Sequence, residues 1–376
     1  MKQLKVIFAG GGTGGHLFPA LAIADGLKKR IEPEIKADFR FFGTRNGLEY
    51  RMKEKLGYPL SLITVRGISR SGILKNIIFP FLLLGAVLKS LFIILKFGPD
   101  IIIGTGGYVM GPVMLAAIAL NKRTAIQEQN SYPGLTTRKL AGKVDKVFLG
   151  FGVARKYLDK LAETVETGNP VKDVIGKYDR QKARQELGIN ENEKVILILG
   201  GSQGATSINQ NILDNMKTVP ENYRLLWQAG ELNYNEIKNG LDEKQLTQCI
   251  LFPFTNEIEK YYAAADIAIA RSGALTMAEL EIAGLPSILI PYPYAAEDHQ
   301  RINAEYFVEN KVALSFDDKL LKEYNMIAVA VDLCESGQRE VMVEALANLK
   351  NRKDKPAVEM IVDEILAQVD IKGSDS

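Results

Sequence analysis

The feature that most constrains the fold of this chain is a short apolar run that leads into a glycine loop and then a helical pattern. Residues 6–9 are typical of a buried strand, GGGTGG follows at 10–15, and the helical pattern has Pro19 in its first turns. Glycines leave the backbone N–H groups open to an anion, and the dipole of the following helix favours negative charge there. The stretch predicts a site for a phosphate or a developing negative charge. His16, one of only two histidines in the chain, stands where the loop enters the helix.

The same order recurs in DIIIGTGGYVMGP at 100–112 and in KVILILGGSQG at 194–204. Strands that alternate with helices in this way predict parallel βαβ units. A chain of 376 residues is also long for one hydrophobic core. We therefore expect an α/β protein with two doubly wound, Rossmann-like domains facing each other across a cleft. The expected divisions are residues 1–166, residues 167–350, and a C-terminal helix and tail at 351–376.

Charge is distributed unevenly along the chain. Residues 1–165 contain 25 Lys and Arg against 11 Asp and Glu, whereas the remainder contains 22 against 34. The basic half suggests an anionic partner, with a membrane surface or a nucleic acid as candidates. Two isolated cysteines predict neither a disulfide framework nor a zinc site, and the short first apolar run does not resemble a signal peptide. These features favour a protein kept in the reducing cytosol.

Residues 77–95, IIFPFLLLGAVLKSLFIIL, form the most apolar segment. A 19-residue helix would be about 28 Å long, close to the thickness of a bilayer core. Pro80, Gly85 and Lys89 interrupt the run, and lysines also flank it. We expect an interfacial helix that contacts anionic headgroups; a buried helix and a true membrane span are the alternatives.

Two polar segments follow predicted strands and are candidate ligand sites. Residues 127–130, QEQN, end a short apolar strand at the edge where parallel sheets bind ligands. In RSGALTMAE, at 271–279, backbone donors at a helix start suit phosphate or sugar oxygens, and Glu279 one turn later suits ribose hydroxyls. An ordinary polar loop and a simple helix cap are the structural alternatives for these two segments.

The glycines of the first loop also satisfy G-x-G-x-x-G, which raises the alternative of a nicotinamide dehydrogenase. That alternative is weakened because FFGTR at 41–45 lacks the acidic residue expected after the second strand. A P-loop is excluded since no Lys-Ser or Lys-Thr follows the loops, and no D-x-D motif is present to hold a metal. The sequence thus predicts neither a cofactor nor a metal.

In order and spacing, seven segments of the chain resemble glycosyltransferase family 28: GGGTGGHLFPALA, GTGGYVMGP, EQN, GNPV, GGSQGA, RSGALTMAE and HQRINA. Within that family the resemblance is to the bacterial N-acetylglucosaminyltransferases that act on undecaprenyl-diphospho-muramoylpentapeptide. The resemblance implies a GT-B fold and inverting, metal-independent transfer of GlcNAc from UDP-GlcNAc to lipid I, forming lipid II for peptidoglycan. It also implies a peripheral protein on the cytoplasmic face of the plasma membrane, near the cell wall and division machinery, with no nucleic acid as partner.

The resemblance also implies site residues. Those expected to contact UDP-GlcNAc are Thr13, Gly14, Gly15, Asn130, Lys172, Ser202, Phe254, Thr255, Ala274, Leu275, Thr276, Glu279 and Gln300. Those expected at the acceptor and its diphosphate are Gly104, Gly106, Gly107 and Tyr108. Two positions depart from the family pattern. Lys172 stands where arginine is frequent, and Gln127 where many members have histidine.

Inversion requires one base to take the proton of the attacking hydroxyl, and an imidazole suits that task at neutral pH. Because Gln127 cannot act as a base, His16 is the expected catalytic residue, and Glu128 is the rival. Contact with the lipid diphosphate and a helix-capping role are the alternatives for His16. A glycosyltransferase of the same fold with a diacylglycerol acceptor is the nearest functional alternative.

Overall fold

The computed structural model describes residues 2–67, 78–201, 204–350 and 354–369. Contacts divide the chain into two compact units. The N-terminal unit comprises the chain up to Val171 together with the chain from Lys355 onward, and the C-terminal unit is Lys172–Asp354. The division therefore falls shortly after the expected boundary at 166/167, and the last helix belongs with the N-terminal unit.

In the N-terminal unit, the described strands form one parallel sheet in the order β3-β2-β1-β4-β5-β6-β7. These strands are β1 (Lys2–Gly10), β2 (Ile35–Gly43), β3 (Leu60–Leu62), β4 (Ile101–Gly106), β5 (Thr124–Glu128), β6 (Lys146–Leu149) and β7 (Thr164–Glu166). The helices are α1 (Gly14–Ile31), α2 (Leu48–Arg51), α3 (Phe79–Phe97), α4 (Gly107–Ala119) and α5 (Leu135–Leu140), with α15 (Ala357–Gln368) returning from the C-terminus.

In the C-terminal unit, the described strands form a second parallel sheet in the order β10-β9-β8-β11-β12-β13. These strands are β8 (Lys194–Leu199), β9 (Tyr223–Gln228), β10 (Cys249–Phe252), β11 (Ile267–Ala270), β12 (Ser287–Leu289) and β13 (Ala313–Ser315). The helices are α6 (Arg180–Glu186), α7 (Thr206–Asn215), α8 (Tyr234–Gly240), α9 (Glu243–Gln248), α10 (Ile258–Ala264), α11 (Ala274–Ala283), α12 (His299–Glu309), α13 (Met326–Glu335) and α14 (Gln338–Lys350).

Both sheets have central strands that are buried on both faces, which explains their continuous apolar runs. Residues 6–10, 101–105, 195–199 and 267–270 are buried throughout. Helices cover both faces of such sheets because a parallel strand must return by a crossover connection. The predicted fold class, α/β with two doubly wound parallel sheets, is confirmed.

The helix α15 packs against α1 and so completes the N-terminal unit. A Cβ on Gly26 would lie 2.3 Å from Cγ1 of Val358, so glycine permits the close approach of the two helices. The Lys146 ammonium, on β6, lies 2.7 Å from a carboxylate oxygen of Glu364 on α15.

The helix α3 exposes most of its apolar surface. Its buried residues are Ala86, Ser90, Ile94 and Phe97. Five large side chains on the opposite face are each more than half exposed: Phe81, Leu84, Leu88, Phe92 and Leu95. Their spacing of three and four residues places them in one stripe. The alternative of a buried helix is therefore wrong, and among the described residues α3 is the one helix long and apolar enough to cross a membrane.

Candidate active site

The first candidate site lies at the carboxyl ends of β1 and β4, where the strand order of the N-terminal sheet reverses. Open α/β sheets bind their ligands at such a switch point. Thr105 Oγ1 donates a 2.7 Å hydrogen bond to the backbone oxygen of His16, which joins the two strand ends. A Cβ on Gly10 would lie 1.7 Å from Thr105 Oγ1, so this approach requires glycine.

His16 lies in this site with one imidazole nitrogen bound to the protein. Nδ1 is 3.1 Å from the backbone oxygen of Thr105 and 3.2 Å from Oε1 of Gln129. Both partners are acceptors, so Nδ1 carries the hydrogen, and in the neutral ring the lone pair is on Nε2. Gly106, at φ +109°, makes room for the ring, since a Cβ there would be 2.4 Å from Nδ1. His16 is thus held in the tautomer whose Nε2 accepts a proton.

Glu128, the rival base, holds its own loop with both carboxylate oxygens. Oε1 accepts hydrogen bonds from the backbone N–H of Asn130 at 3.0 Å and from its side-chain amide at 3.3 Å. Oε2 accepts from the backbone N–H of Gly134 at 3.0 Å. The carboxylate is 4% exposed, so its visible role is to shape residues 130–134.

The glycine loop differs from the open anion cradle that the sequence predicts, because a buried carboxylate occupies part of it. Glu49, on α2, is fully buried. Its Oε2 accepts from the backbone N–H of Gly12 at 2.7 Å, and Oε1 accepts from that of Thr44 at 2.8 Å. The Gly12 donor is therefore directed at the protein and away from any ligand. Nothing near Glu49 in the sequence signals this contact.

The predicted donor residues of the first loop stand at the start of α1. Thr13 precedes the helix, and its backbone oxygen accepts from the backbone N–H of His16 and Leu17. Gly14 and Gly15 are the first residues of the helix, and Gly15 is exposed. These three residues keep their predicted place beside His16.

The predicted acceptor residues divide into a buried one and three near the surface. Gly104 is buried within β4, and a Cβ there would lie 2.7 Å from Cγ of Met110. Gly106 and Gly107 are half-buried at the end of β4, and Tyr108 is 64% exposed at the start of α4. A substrate can therefore reach the last three, whereas Gly104 acts by allowing the core to pack.

The second candidate site lies at the switch point of the C-terminal sheet, between β8 and β11. The helix α11 starts at Ala274 directly after this point, with Leu275 and Thr276 half-buried in its first turn. The buried Ser272 hydroxyl donates to the backbone oxygen of Gln300 at 2.8 Å, which joins α12 to the site. Oε1 of Gln300 accepts from the backbone N–H of Tyr292 at 2.9 Å. The structure thus brings RSGALTMAE and HQRINA together.

Glu279 lies on the next turn of α11. Its carboxylate accepts a 2.8 Å hydrogen bond from the Tyr262 hydroxyl. Burial raises the pKa of the Glu279 carboxyl to about 7, while the Tyr262 hydrogen bond and the Lys172 charge oppose that shift. Lys172 also donates to the backbone oxygen of Asn256 at 3.2 Å, which places it beside the 254–256 loop.

Two of the three remaining residues expected to contact UDP-GlcNAc are described by the structure. Phe254 is 43% exposed, as an aromatic stacking face requires. Thr255 Oγ1 accepts from the backbone N–H of Glu257 at 3.0 Å. Ser202 lies outside the described residues.

Arg271 is a residue of this second site that the sequence reasoning did not assign. Its guanidinium donates to the backbone oxygens of Ile290 and Pro291 at 3.1 and 3.3 Å, and to Ser207 Oγ at 2.9 Å. It also forms an ion pair with Asp318. Arg271 therefore ties the ends of β11 and β12 to α7, the helix that follows the GGSQG loop.

Comparisons with known proteins identify the family of this chain. The glycosyltransferase family 28 N-terminal domain matches residues 6–149, and the C-terminal domain of the same family matches residues 195–359. A protein from Chlorobium phaeobacteroides is 37% identical over 96% of this chain and 99% of its own. One from Flavobacterium psychrophilum is 37% identical over 100% of both chains. Both are named UDP-N-acetylglucosamine–N-acetylmuramyl-(pentapeptide) pyrophosphoryl-undecaprenol N-acetylglucosamine transferase.

Two solved structures are similar to the whole chain. The crystal structure of Acinetobacter baumannii MurG has a TM-score of 0.75 at 25% identity and covers 98% of this chain and 100% of its own. A UDP-GlcNAc 2-epimerase from Neisseria meningitidis has a TM-score of 0.62 at 15% identity over 98% and 100%, a likeness of fold alone. The two domain matches and the full-length relatives show that the chain belongs to glycosyltransferase family 28.

Proposed function

We propose that this protein transfers N-acetylglucosamine from UDP-GlcNAc to the muramoyl 4-hydroxyl of lipid I, undecaprenyl-diphospho-MurNAc-pentapeptide, giving lipid II and UDP. The two relatives that align over nearly the whole chain carry this transfer in their names. The single observation that carries the chemistry is His16, whose Nδ1 is bound by acceptors so that Nε2 has the lone pair.

In this proposal His16 is the general base. Nε2 takes the proton of the 4-hydroxyl as that oxygen attacks the anomeric carbon, and the bond from that carbon to the UDP oxygen breaks on the opposite face. Glu128 is less suited, because each of its carboxylate oxygens already accepts from a backbone N–H. Gly106, Gly107 and Tyr108 surround the place where the acceptor would lie.

The C-terminal unit would hold the donor. The start of α11, at Ala274, presents backbone donors and the positive end of a helix dipole to the diphosphate, which stabilises the leaving group without a metal. Glu279 would accept from the ribose hydroxyls, and Phe254 and Thr255 would flank the uracil. Lys172, Ser202, Leu275, Thr276 and Gln300 complete the proposed donor contacts. Thr13, Gly14, Gly15 and Asn130 would contact the donor from the N-terminal unit.

The test is UDP release from UDP-GlcNAc with a short-chain lipid I analogue in EDTA. We expect release that requires the analogue and is unaffected by EDTA. Release at the same rate without the analogue would indicate a hydrolase and contradict the proposal. Thermal unfolding should shift upward with UDP-GlcNAc and not with NADH, since only a specific ligand stabilises the native state; the reverse would indicate the dehydrogenase alternative.

We further infer that the protein is a peripheral one on the cytoplasmic face of the plasma membrane. The exposed stripe of α3, formed by Phe81, Leu84, Leu88, Phe92 and Leu95, supports contact with acyl chains. Lys89 and Lys96 on the same helix suit anionic headgroups. A lipid-linked acceptor would be reached from such a surface, close to the cell wall and division machinery.

A further inference from the structure

We propose that Gln129 is a positioning residue for His16 and, through a buried chain of amides, fixes the tautomer that makes Nε2 the base. This inference rests on the proposed function, because it gives His16 the role of base. Gln129 Oε1 is 3.2 Å from His16 Nδ1, and the Gln129 side chain is 4% exposed.

The orientation of the Gln129 amide follows from backbone oxygens that can only accept. Its Nε2 donates to the backbone oxygens of Thr105 and Gln127, each at 2.9 Å. Because the nitrogen must face these two carbonyls, Oε1 must face His16. Nδ1 of His16 therefore meets an acceptor on both Gln129 and Thr105 and carries the hydrogen.

The chain of amides continues inward and closes on itself. Asn169 Nδ2 donates to the backbone oxygen of Gln129 at 2.9 Å, and Asn169 Oδ1 accepts from Gln127 Nε2 at 3.0 Å. Gln127 Oε1 is a third acceptor beside Gln129 Nε2, so the two hydrogens of this amide are shared among three oxygens. Gln127 and Asn169 are 1% and 3% exposed, so the network is sheltered from water, which strengthens it.

This arrangement gives a structural role to Gln127, which stands where many family members have histidine. An amide at that position offers both an acceptor and a donor, and here the acceptor holds Gln129 while the donor reaches Asn169. A carboxylate in place of Gln129 would face the carbonyl oxygens of Thr105 and Gln127 without a hydrogen to donate. Gln129→Glu should therefore lower the stability of the protein, while its second carboxylate oxygen would still face His16 Nδ1.

Two carboxylates belong to segments that adjoin His16. Glu49 bonds the backbone N–H of Gly12 in the preceding loop, and Glu128 bonds those of Asn130 and Gly134. Both are engaged with backbone donors, whereas the Gln129 side chain is bonded to His16 Nδ1 itself. A change at Gln129 should therefore be the one that alters the ring directly.

Two substitutions make opposite predictions for the pH dependence of kcat/KM. Gln129→Met removes the acceptor and should lower kcat roughly 10- to 100-fold, the effect of losing a hydrogen bond to a group that becomes charged. It should move the acid limb of the kcat/KM profile to lower pH, because the imidazolium form of His16 loses a hydrogen-bond acceptor. Gln129→Glu places a negative charge beside the ring and should move the acid limb to higher pH. Gln185→Glu, which adds the same charge at an exposed position on α6, should leave the profile unchanged.

KM for UDP-GlcNAc should stay within about twofold in both Gln129 variants. A purely structural role would lower activity without opposite shifts of the acid limb, and that result would overturn the proposal.

A double-mutant cycle separates this proposal from the role of His16. If Gln129 acts through His16, the variant carrying Gln129→Met and His16→Ala should be no slower than His16→Ala alone. If instead the losses of turnover from the two substitutions multiply in the double variant, the two residues act independently. That result would overturn the role of Gln129 and leave His16 as the base. Full turnover by His16→Ala would instead refute the base assignment, and with it the positioning role.

A measurement on the unmodified protein keeps the proposal testable if the variants fold poorly. The chain has two histidines, so ¹⁵N chemical shifts of the imidazole nitrogens are readily assigned with His299→Gln. We expect His16 above its titration range to be protonated at Nδ1. Protonation at Nε2 would overturn the proposal.

Discussion

The Glu279 carboxyl should make nucleotide binding depend on pH. Its pKa is raised to about 7. In the proposed donor site, only the ionised form would accept from both ribose hydroxyls. The affinity for UDP should therefore fall as pH drops below about 7, by up to about tenfold per pH unit. Isothermal titration across this range tests the expectation. Glu279→Gln should bind UDP more weakly at pH 8 and show a nearly flat profile; an equally steep profile in that variant would exclude Glu279 as the source.

The same pKa has a consequence for stability with a definite sign. Because the folded pKa of about 7 lies above the ordinary glutamate value of 4.5, the folded protein binds the proton more tightly than the unfolded chain. Stability from this group should therefore be greatest below pH 4.5 and decline as pH rises to about 7. The free energies of unfolding of wild type and Glu279→Gln, measured with denaturant, should therefore diverge between pH 4.5 and about 7.

Glu49 should support the loop that carries His16. Glu49→Gln leaves an amide nitrogen facing the backbone N–H of either Gly12 or Thr44, a buried mismatch that costs about 1–3 kcal/mol. We expect lower stability in denaturant unfolding and a lower kcat, with UDP affinity unchanged. Glu54→Gln, at an exposed position nearby, is the matched control. Equal stability of the two variants would contradict the assigned role.

The residues that sequence reasoning found and missed differ in how far away their partners lie. The roles of His16 and Glu279 stay predictions, and their signal is local, because each follows a strand and a glycine-containing turn within one motif. The contact of Glu49 with Gly12 spans 37 positions, and that of Gln129, part of the predicted QEQN segment, with His16 spans 113, so only the folded sheet brings these partners together. The sequence thus predicts the glycine loop as a local anion-binding site. It does not predict that the Glu49 carboxylate accepts the hydrogen bond of the Gly12 backbone N–H.

At the scale of elements, α3 should bind membranes through its exposed stripe. The double substitution Phe81→Ser and Phe92→Ser should weaken co-sedimentation with phosphatidylglycerol vesicles by roughly tenfold or more, because two largely exposed rings no longer enter the acyl region. The control is Leu161→Ser with Leu232→Ser, which removes equally exposed side chains elsewhere.

The salt dependence of the same binding distinguishes the depth of insertion. High salt should release most of the protein, since exposed lysines and headgroups are then screened. Release by detergent alone would favour deeper insertion. Unchanged binding of the Phe81 and Phe92 double variant would exclude α3 as the contact.

Long strands were easier to predict than short ones. The apolar runs at β1, β4, β8 and β11 are buried on both faces and were found. The strands Leu60–Leu62, Thr164–Glu166 and Ala313–Ser315 are not predicted, because each is short, has partly exposed positions and so lacks a continuous buried apolar run.

At the scale of the whole molecule, the sequence predicted two doubly wound sheets because the strand, glycine loop and helix pattern repeats. It did not predict that the chain returns, so that α15 completes the N-terminal unit through a contact made possible by Gly26. The excess of basic residues in the first half agrees with an acceptor that is anionic and lipid-linked.

The acceptor is the central claim of the proposed function, and a competition measures it directly. Wild-type protein is given labelled UDP-GlcNAc with equal concentrations of a lipid I analogue and diacylglycerol in the same vesicles, and the labelled products are identified by mass spectrometry. We predict GlcNAc β-linked to the muramoyl 4-hydroxyl and no detectable glycosylated diacylglycerol. Label found on diacylglycerol, with none on the lipid I analogue, would contradict the account.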